Sequence, residues 1–312
     1  MATAPIPIEP ESEAMAKVIS GRDISEAMRS EIAADARAYL DDTGQRPGLS
    51  VVLVGKDAAS QVYVRMKGKA ADDAGFTSRT IVLPAETPES ELLGVVAGLN
   101  ADPAVHGILV QLPVPEQIDT QQVLRSIDPA KDVDGFHPLN AGALASGDLT
   151  VLAPCTPAGI IEMLMRSGYD PQGQHVVIVG RSTIVGRPVA SLLLRNAPGG
   201  NATVTVAHSR SKDLAAITRQ ADILIAAVGK AELITRDMVK PGVVVIDVGV
   251  NRVENADSPR GYRLVGDVAY SDVSEVAEAI SPVPGGVGPM TITMLLRNTI
   301  DAARRQYAAG GR

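Results

Sequence analysis

The sequence predicts an α/β protein of two domains, with a parallel sheet in the second. Three observations carry that expectation. Short runs rich in Val and Ile alternate with helix-spaced segments along the whole chain. In the second half those runs are almost wholly apolar, as strands covered on both faces of a parallel sheet must be. The chain is 312 residues long, enough for two cores.

Taken in order, Ile24, Met28 and Ile32 mark one face of a helix running to about Leu40. "LSVVLVG", Leu49 to Gly55, is an apolar run closed by glycine, a buried strand. "SQVYVRMKGK", Ser60 to Lys69, reads as a helix, and "RTIVL", Arg79 to Leu83, as the next strand. Thr87 as N-cap and Pro88 in the first turn would open a helix with Leu92, Val96 and Leu99 on its core face. "HGILVQLP", His106 to Pro113, supplies another buried strand.

The texture changes after "KDVDGFHPLNAG", which sets a domain boundary near residue 150. "PCTPAGIIEMLMRSG" is a helix with Thr156 expected at its N-cap, Pro157 in its first turn and Gly168 closing it. Strands are expected at 175–180, 202–208, 222–229 and 243–249, with helical segments between the first three. A helix from about Pro289 to Tyr307 follows "PVPGGVG" and is expected to return to the first domain. The expected division is a flexible extension at 1–17, a first domain at 18–150 joined by 289–312, and a Rossmann-like domain at 151–288.

Composition narrows the function classes. One cysteine, Cys155, allows no internal disulfide and suits a reducing cytoplasm. With that thiol and four scattered histidines, no metal-ligand spacing is present. A net charge of −7 argues against a general nucleic-acid binder. No run approaches the ~20 apolar residues of a membrane helix. The start, "MATAPIPIEPESEAMAK", has neither the basic nor the apolar part of a secretory signal.

Two places point to chemistry. On a helix Tyr63 and Lys67 lie on one face, in a chain holding only six Tyr, two Phe and no Trp. A half-buried Tyr beside a solvated Lys is the plain explanation for such a pair taken alone. In "VVIVGRSTIVGRPVASLLL", Gly180 ends a strand and Gly186 opens a helix continued by Val189, Leu192 and Leu193. That order offers backbone N–H groups and a positive helix end to a phosphate, although the middle Gly of the usual dinucleotide pattern is missing. A strand-to-helix turn also needs glycine for steric reasons alone. The next strand ends in "AHSRSKD", so His208, Ser209, Arg210 and Ser211 come before any acid. Hydroxyls and a guanidinium there suit a 2′-phosphate, hence NADP. Ser211 or Asp213 would cap the following helix.

With these pieces placed, the sequence closely resembles the bifunctional methylenetetrahydrofolate dehydrogenase/methenyltetrahydrofolate cyclohydrolase family, the FolD type. The likeness runs from Val18 through the helix at 289–307. It rests on eight blocks in the family's order: "VGKDAASQVYVRMKGKA", "GILVQLPVP", "PAKDVDGFHPLNAG", "PCTPAG", "VVIVGRSTIVGRPVA", "KPGVVVIDVGVNR", "LVGDV" and "PVPGGVGPMT". The proline-bearing N-terminal extension departs from the pattern. No formyl-transfer ligase domain is expected in this length, and no ATP-type phosphate loop is present.

The resemblance implies NADP-dependent oxidation of 5,10-methylenetetrahydrofolate, hydrolysis of the methenyl product to 10-formyltetrahydrofolate, and a homodimer using a nucleotide-domain strand. It further implies that Tyr63 stacks on the folate ring and that Lys67 handles protons or polarises the reacting region. By the same likeness Gln111 tunes the lysine and Asp132 binds the pterin, with Asp134 as an alternative or a turn-shaping residue. Pro284 and Gly285 would line the folate and nicotinamide cleft. Gly180, Arg181, Ser182, Ser209, Arg210 and Val250 would contact the cofactor. Lys56 and Lys69 read as solvated charges facing the glutamate tail. Cys155 is expected to be a buried structural thiol.

Overall fold

The computed structural model describes residues 15–256, 258 and 261–310. The extension expected at 1–17 therefore lies outside the described residues up to position 14, as do Gly311 and Arg312.

In chain order the elements are β1 (Lys17–Val18), α1 (Gly21–Thr43), β2 (Gly48–Val54), α2 (Ala58–Asp73), β3 (Thr77–Leu83), α3 (Glu89–Ala101), β4 (Gly107–Val110), α4 (Thr120–Ser126), α5 (Pro138–Ala145) and α6 (Cys155–Arg166). They continue as β5 (His175–Val179), α7 (Gly186–Leu194), β6 (Thr203–Ala207), α8 (Leu214–Thr218), β7 (Ile223–Ala226), a 3₁₀ turn at Arg236–Met238 and β8 (Val244–Asp247). The chain then forms β9 (Asn251–Glu254), β10 (Tyr262–Val265), α9 (Tyr270–Ser274), β11 (Ala279–Ile280) and α10 (Val287–Ala309).

Two parallel sheets result. The first has the order β3-β2-β4, and the second β1-β11-β8-β7-β5-β6. Alternation along β2 explains how the first sheet is covered on both faces. Leu49, Val51 and Leu53 join the core shared with α1, α2 and α10, while Val52 and Val54 meet Leu92, Val96 and Leu99 of α3. In the second sheet β5, β7 and β8 carry the buried runs, and the two edge strands, β1 and β6, are the more exposed. An antiparallel hairpin, β9 with β10, stands apart from both sheets.

The ends of the chain cross between the halves. Lys17 and Val18 pair in parallel with Ala279 and Ile280, so β1 is the outer strand of the second sheet. Ile19 N–H donates to the Ile280 carbonyl at 2.9 Å, continuing that edge. In the other direction α10 packs on α1, α2 and α6 and reaches β2 and β4. The α10 face that does this holds Met290, Met294, Leu295, Leu296 and Ile300, all buried.

Two helix starts differ from expectation. Pro88 itself is the N-cap of α3, and the Thr87 hydroxyl is buried without a partner. Glu89 and Glu91 in the first turn complement the helix dipole instead. Pro154 is the N-cap of α6, placing Thr156 inside the first turn. Its hydroxyl is free to bond Thr291 Oγ1 on α10 at 2.9 Å. Of the two caps proposed for α8, Asp213 serves, accepting from Ala216 N–H at 3.0 Å. Among the described residues no helix is long and apolar enough to cross a membrane.

Candidate active site

Helix α2 begins where Asp57 Oδ2 accepts from Ser60 N–H at 2.7 Å, which sets the rotation of Tyr63 and Lys67. Their depths differ. Tyr63 is 50% exposed, whereas Lys67 is 8% exposed, so the ring is open to the cleft and the amine is turned inward. Lys67 Nζ donates to Gln111 Oε1 at 3.1 Å. Gln111 follows β4, and its Nε2 donates to the Leu112 carbonyl at 2.8 Å, which leaves the amide oxygen for the lysine. The partner of the buried amine is thus a neutral acceptor.

Residues 131–133 run beside β4, with Ile108 N–H donating to the Lys131 carbonyl at 2.8 Å. This sets Asp132 beside Ile108, near the start of β4, and carries the chain on toward Gln111. Its Oδ2 accepts from His137 N–H and Asn140 Nδ2, both at 2.8 Å. Its Oδ1 is buried without a hydrogen-bond partner, and the residue as a whole is 1% exposed. Burial pushes the Asp132 carboxyl above its ordinary range, partly offset by those two bonds.

Asp134 belongs to this group as well. Burial raises its carboxyl to about 6, with Lys67 pulling it down and Asp132 pushing it up. The resemblance offered it only as an alternative or as a turn residue. Cys155 is 2% exposed, and burial followed by the charge of Asp134 drives its thiol well above the usual range. A thiol held so firmly protonated is a packing group. Asn140 and His137, which orient Asp132, were missed from the sequence. Their signal was present, since both fall in the turn of helix immediately after the acids.

A cavity of about 1040 Å³ lies beside this group, between α1 and α2 on one side and residues 247–250 and 282–289 on the other. Tyr63, Val250, Pro284 and Gly285 all line it, while Lys67, Gln111 and Asp132 are not in its wall. Helix α2 joins the two groups, since Lys67 lies one turn beyond Tyr63. Lys56 is exposed, and Lys69 is held by Asp73 at 2.8 Å on the outer face of α2.

In the second domain strand order reverses at β5, whose neighbours are β6 and β7, and ligands of open parallel sheets bind at such a point. Gly180, at φ 136°, leaves β5 so close to β7 that a Cβ there would stand 2.2 Å from the Ala227 carbonyl oxygen. The backbone can therefore form a cradle only with glycine at that position. Ser182 Oγ accepts from Val185 N–H at 3.1 Å and shapes the turn into α7. Arg181 and Ser182 are exposed. Gly180 N–H donates to the Ala207 carbonyl at 2.8 Å, so the turn after β6 leaves alongside. There His208 Nδ1 accepts from Arg210 N–H at 3.1 Å, with Ser209 and Arg210 exposed. Among the described residues no carboxylate is within ion-pair distance of Arg210.

A glycine turn at the switch point of one parallel sheet, and a buried lysine with an amide partner beside the other, mark a two-domain α/β protein of the dinucleotide-binding class. The chain belongs to the tetrahydrofolate dehydrogenase/cyclohydrolase family: the family's catalytic-domain description matches residues 19–134 and its NAD(P)-binding-domain description residues 154–307. It is 58% identical over 294 residues to "Bifunctional protein FolD 1" of Myxococcus xanthus, covering 94% of this chain and 100% of that one. The crystal structure of the bifunctional FolD dehydrogenase/cyclohydrolase from Campylobacter jejuni superposes with a TM-score of 0.87 at 44% identity, covering 93% and 99% of the two chains. The Trypanosoma brucei enzyme, solved with NADP cofactor and an inhibitor, gives 0.88 at 41% identity, covering 94% and 99%.

Proposed function

We propose that both reactions of this bifunctional enzyme use the one cleft, with Lys67 as the proton-handling group and Asp132 as the anchor of the pterin. The chain oxidises 5,10-methylenetetrahydrofolate with NADP to the 5,10-methenyl cation and hydrolyses that cation to 10-formyltetrahydrofolate. NADP, when bound, supplies the acceptor for the hydride. The glycine cradle at Gly180 fits a dinucleotide phosphate, and in this reading Arg181, Ser182 and Val250 would be further contacts.

The observation that carries the assignment is the Lys67–Gln111 bond, at 3.1 Å, in a buried setting. Water adding to the methenyl carbon must lose a proton, and the opening ring nitrogen must gain one. Lys67, bonded to the Gln111 amide oxygen and with the Asp134 carboxyl close enough to feel its charge, is the group we assign to both transfers. Tyr63 offers its open face for stacking, and Pro284 and Gly285 close the opposite wall. Incubation with NADP and methylenetetrahydrofolate tests the reading, with NADPH and methenyl absorbance followed together. Neither signal rising would overturn it.

Two further outcomes are expected. Asp132→Asn should weaken folate binding about 10- to 100-fold, from losing a charged acceptor worth ~1.5–3 kcal/mol. NADP binding, titrated alone by calorimetry, should stay unchanged. A parallel loss would mean that the domain interface has collapsed. Arg210→Ala and Ser209→Ala should each weaken NADP more than NAD, by roughly tenfold or more for the arginine. Equal kinetics with both cofactors in the unmodified protein would defeat that.

A cytoplasmic homodimer is part of the same reading. Support for the dimer is the edge strand β6, which among the described residues pairs only with β5 and exposes Val206.

A further inference from the structure

Two buried carboxylates outside the catalytic group interlock where the second domain meets the cleft. Asp247 ends β8 and Asp267 follows β10, and they are 3% and 0% exposed. Asp267 has both oxygens fully used. Its Oδ2 accepts from Val228 N–H at 2.6 Å and Gly229 N–H at 2.9 Å. Its Oδ1 accepts from Lys230 N–H and Asn251 Nδ2, each at 2.9 Å. Asp247 in turn accepts from Gly249 N–H at 3.0 Å and from Asp267 and Val268 N–H at 2.9 Å.

Each carboxylate fills the space where a glycine of the other segment lacks a side chain. A Cβ on Gly249 would stand 2.2 Å from Asp267 Oδ1, and one on Gly266 would stand 1.7 Å from Asp247 Oδ2. The two segments are therefore keyed together. Through Asp267 they also grip the loop leaving β7, whose first residue, Ala227, is the one Gly180 abuts.

We propose that Asp267, locked by Asp247, is a positioning residue for the dehydrogenase reaction, tying the loop after β7 and the Val248–Asn251 segment after β8 into one wall of the dinucleotide site. The proposal rests on the reading that NADP binds at the carboxyl ends of β5 and β7. Backbone bonds from Glu232 N–H to the Gly266 carbonyl and from Ile234 N–H to the Asp267 carbonyl hold the far part of the loop after β7, while Asp267 holds its start at Val228–Lys230, and misplacement there by about 1 Å can cost on the order of 10²-fold in rate. Four donors on one buried carboxylate make a stiff tie, because each bond is charge-assisted. An acid that merely stabilised the domain would affect both reactions alike. One that sets the nucleotide-domain wall of the shared cleft shifts the KM for NADP most, because only the dehydrogenase reaction fills that side with cofactor.

Asparagine at 267 keeps the shape but replaces one oxygen by an N–H₂ group. Turned one way that group faces the Val228 and Gly229 N–H donors; turned the other way it faces the Lys230 N–H, and the Asn251 amide must turn over to meet it. Asp267→Asn is therefore expected to raise the KM for NADP by about tenfold or more and to lower the dehydrogenase kcat. Asn251→Ala removes a single donor and should raise the KM for NADP by roughly three- to tenfold. In both, hydrolysis of methenyltetrahydrofolate without NADP should change by less than about threefold.

The experiment assays the unmodified chain and both variants for NADPH formation at varied NADP and for cofactor-free hydrolysis, with melting curves as the folding check. Failure of the unmodified chain to form NADPH would strike the functional reading itself. Should Asp267→Asn fail to fold, Asn251→Ala decides alone. Equal losses in the two reactions, or an unchanged KM for NADP in Asn251→Ala, would overturn the positioning role.

Discussion

Lys67→Met should remove nearly all cyclohydrolase activity, by at least the ~10²–10⁴-fold that a lost acid–base group costs. Methionine preserves the length and the buried packing but has no proton to give or accept. Gln111 would lose its donor, a small structural penalty beside the catalytic one. Dehydrogenase activity should suffer less, because alignment of the two carbons depends on Tyr63 and the cleft walls. Tyr63→Phe keeps the stacking face and should be milder in both reactions than Tyr63→Ala. The measurement is methenyl hydrolysis against NADPH formation in folded variants, corrected for spontaneous hydrolysis. Hydrolysis by Lys67→Met at the unmodified rate would make this lysine a packing group with a coincidental amide partner.

Gly180→Ala should be the most damaging single change in the second domain. The residue is pinned on both sides, by its N–H bond to Ala207 at the end of β6 and by its close approach to Ala227 after β7. A methyl group 2.2 Å from a carbonyl oxygen forces the strand ends apart, and φ 136° is itself strained for alanine. A stability loss of about 2–4 kcal/mol is expected. Dehydrogenase activity should fall more than about 100-fold, since the phosphate cradle is the part deformed. Hydrolysis without NADP should persist wherever the chain is folded. Denaturant midpoints and NADPH formation check both halves, and an unchanged midpoint would show that the turn can open freely.

Much of this was legible because buried parallel strands leave a dense signature. β2, β5, β7 and β8 are buried on both faces; the last three lie within the runs that foretold them, and β2 starts one residue early, at Gly48. β1 and β11 are two residues long, too short for any periodicity, and the pairing that makes them strands is between positions 17–18 and 279–280. At the site, spacing placed Tyr63 and Lys67 on one helix face but carried no information on depth. Lys67 is buried because β4 brings Gln111 against it, a tertiary fact. Asp134 could not be separated from a turn residue by its place before Gly135 alone. Asp247 and Asp267 did leave a trace: an acid closing "VVVID" and another in "LVGDV" contradict their apolar surroundings. Such an acid has to find donors, and here it finds them across three loops.

The crossing of β1 and α10 has a consequence for how the chain is made. A nascent chain grows from one end, and domains of ordinary proteins can close as they emerge. Here the early residues Lys17 and Val18 wait for the second sheet, and the first domain lacks the buried face of α10 until synthesis has passed that sheet as well. The first core is therefore left open until α10 is made, after the second sheet has emerged. Cutting the gene near codon 150 would yield two polypeptides that each miss a piece, and co-expression, with the pieces meeting inside the cell, would be needed to recover either half.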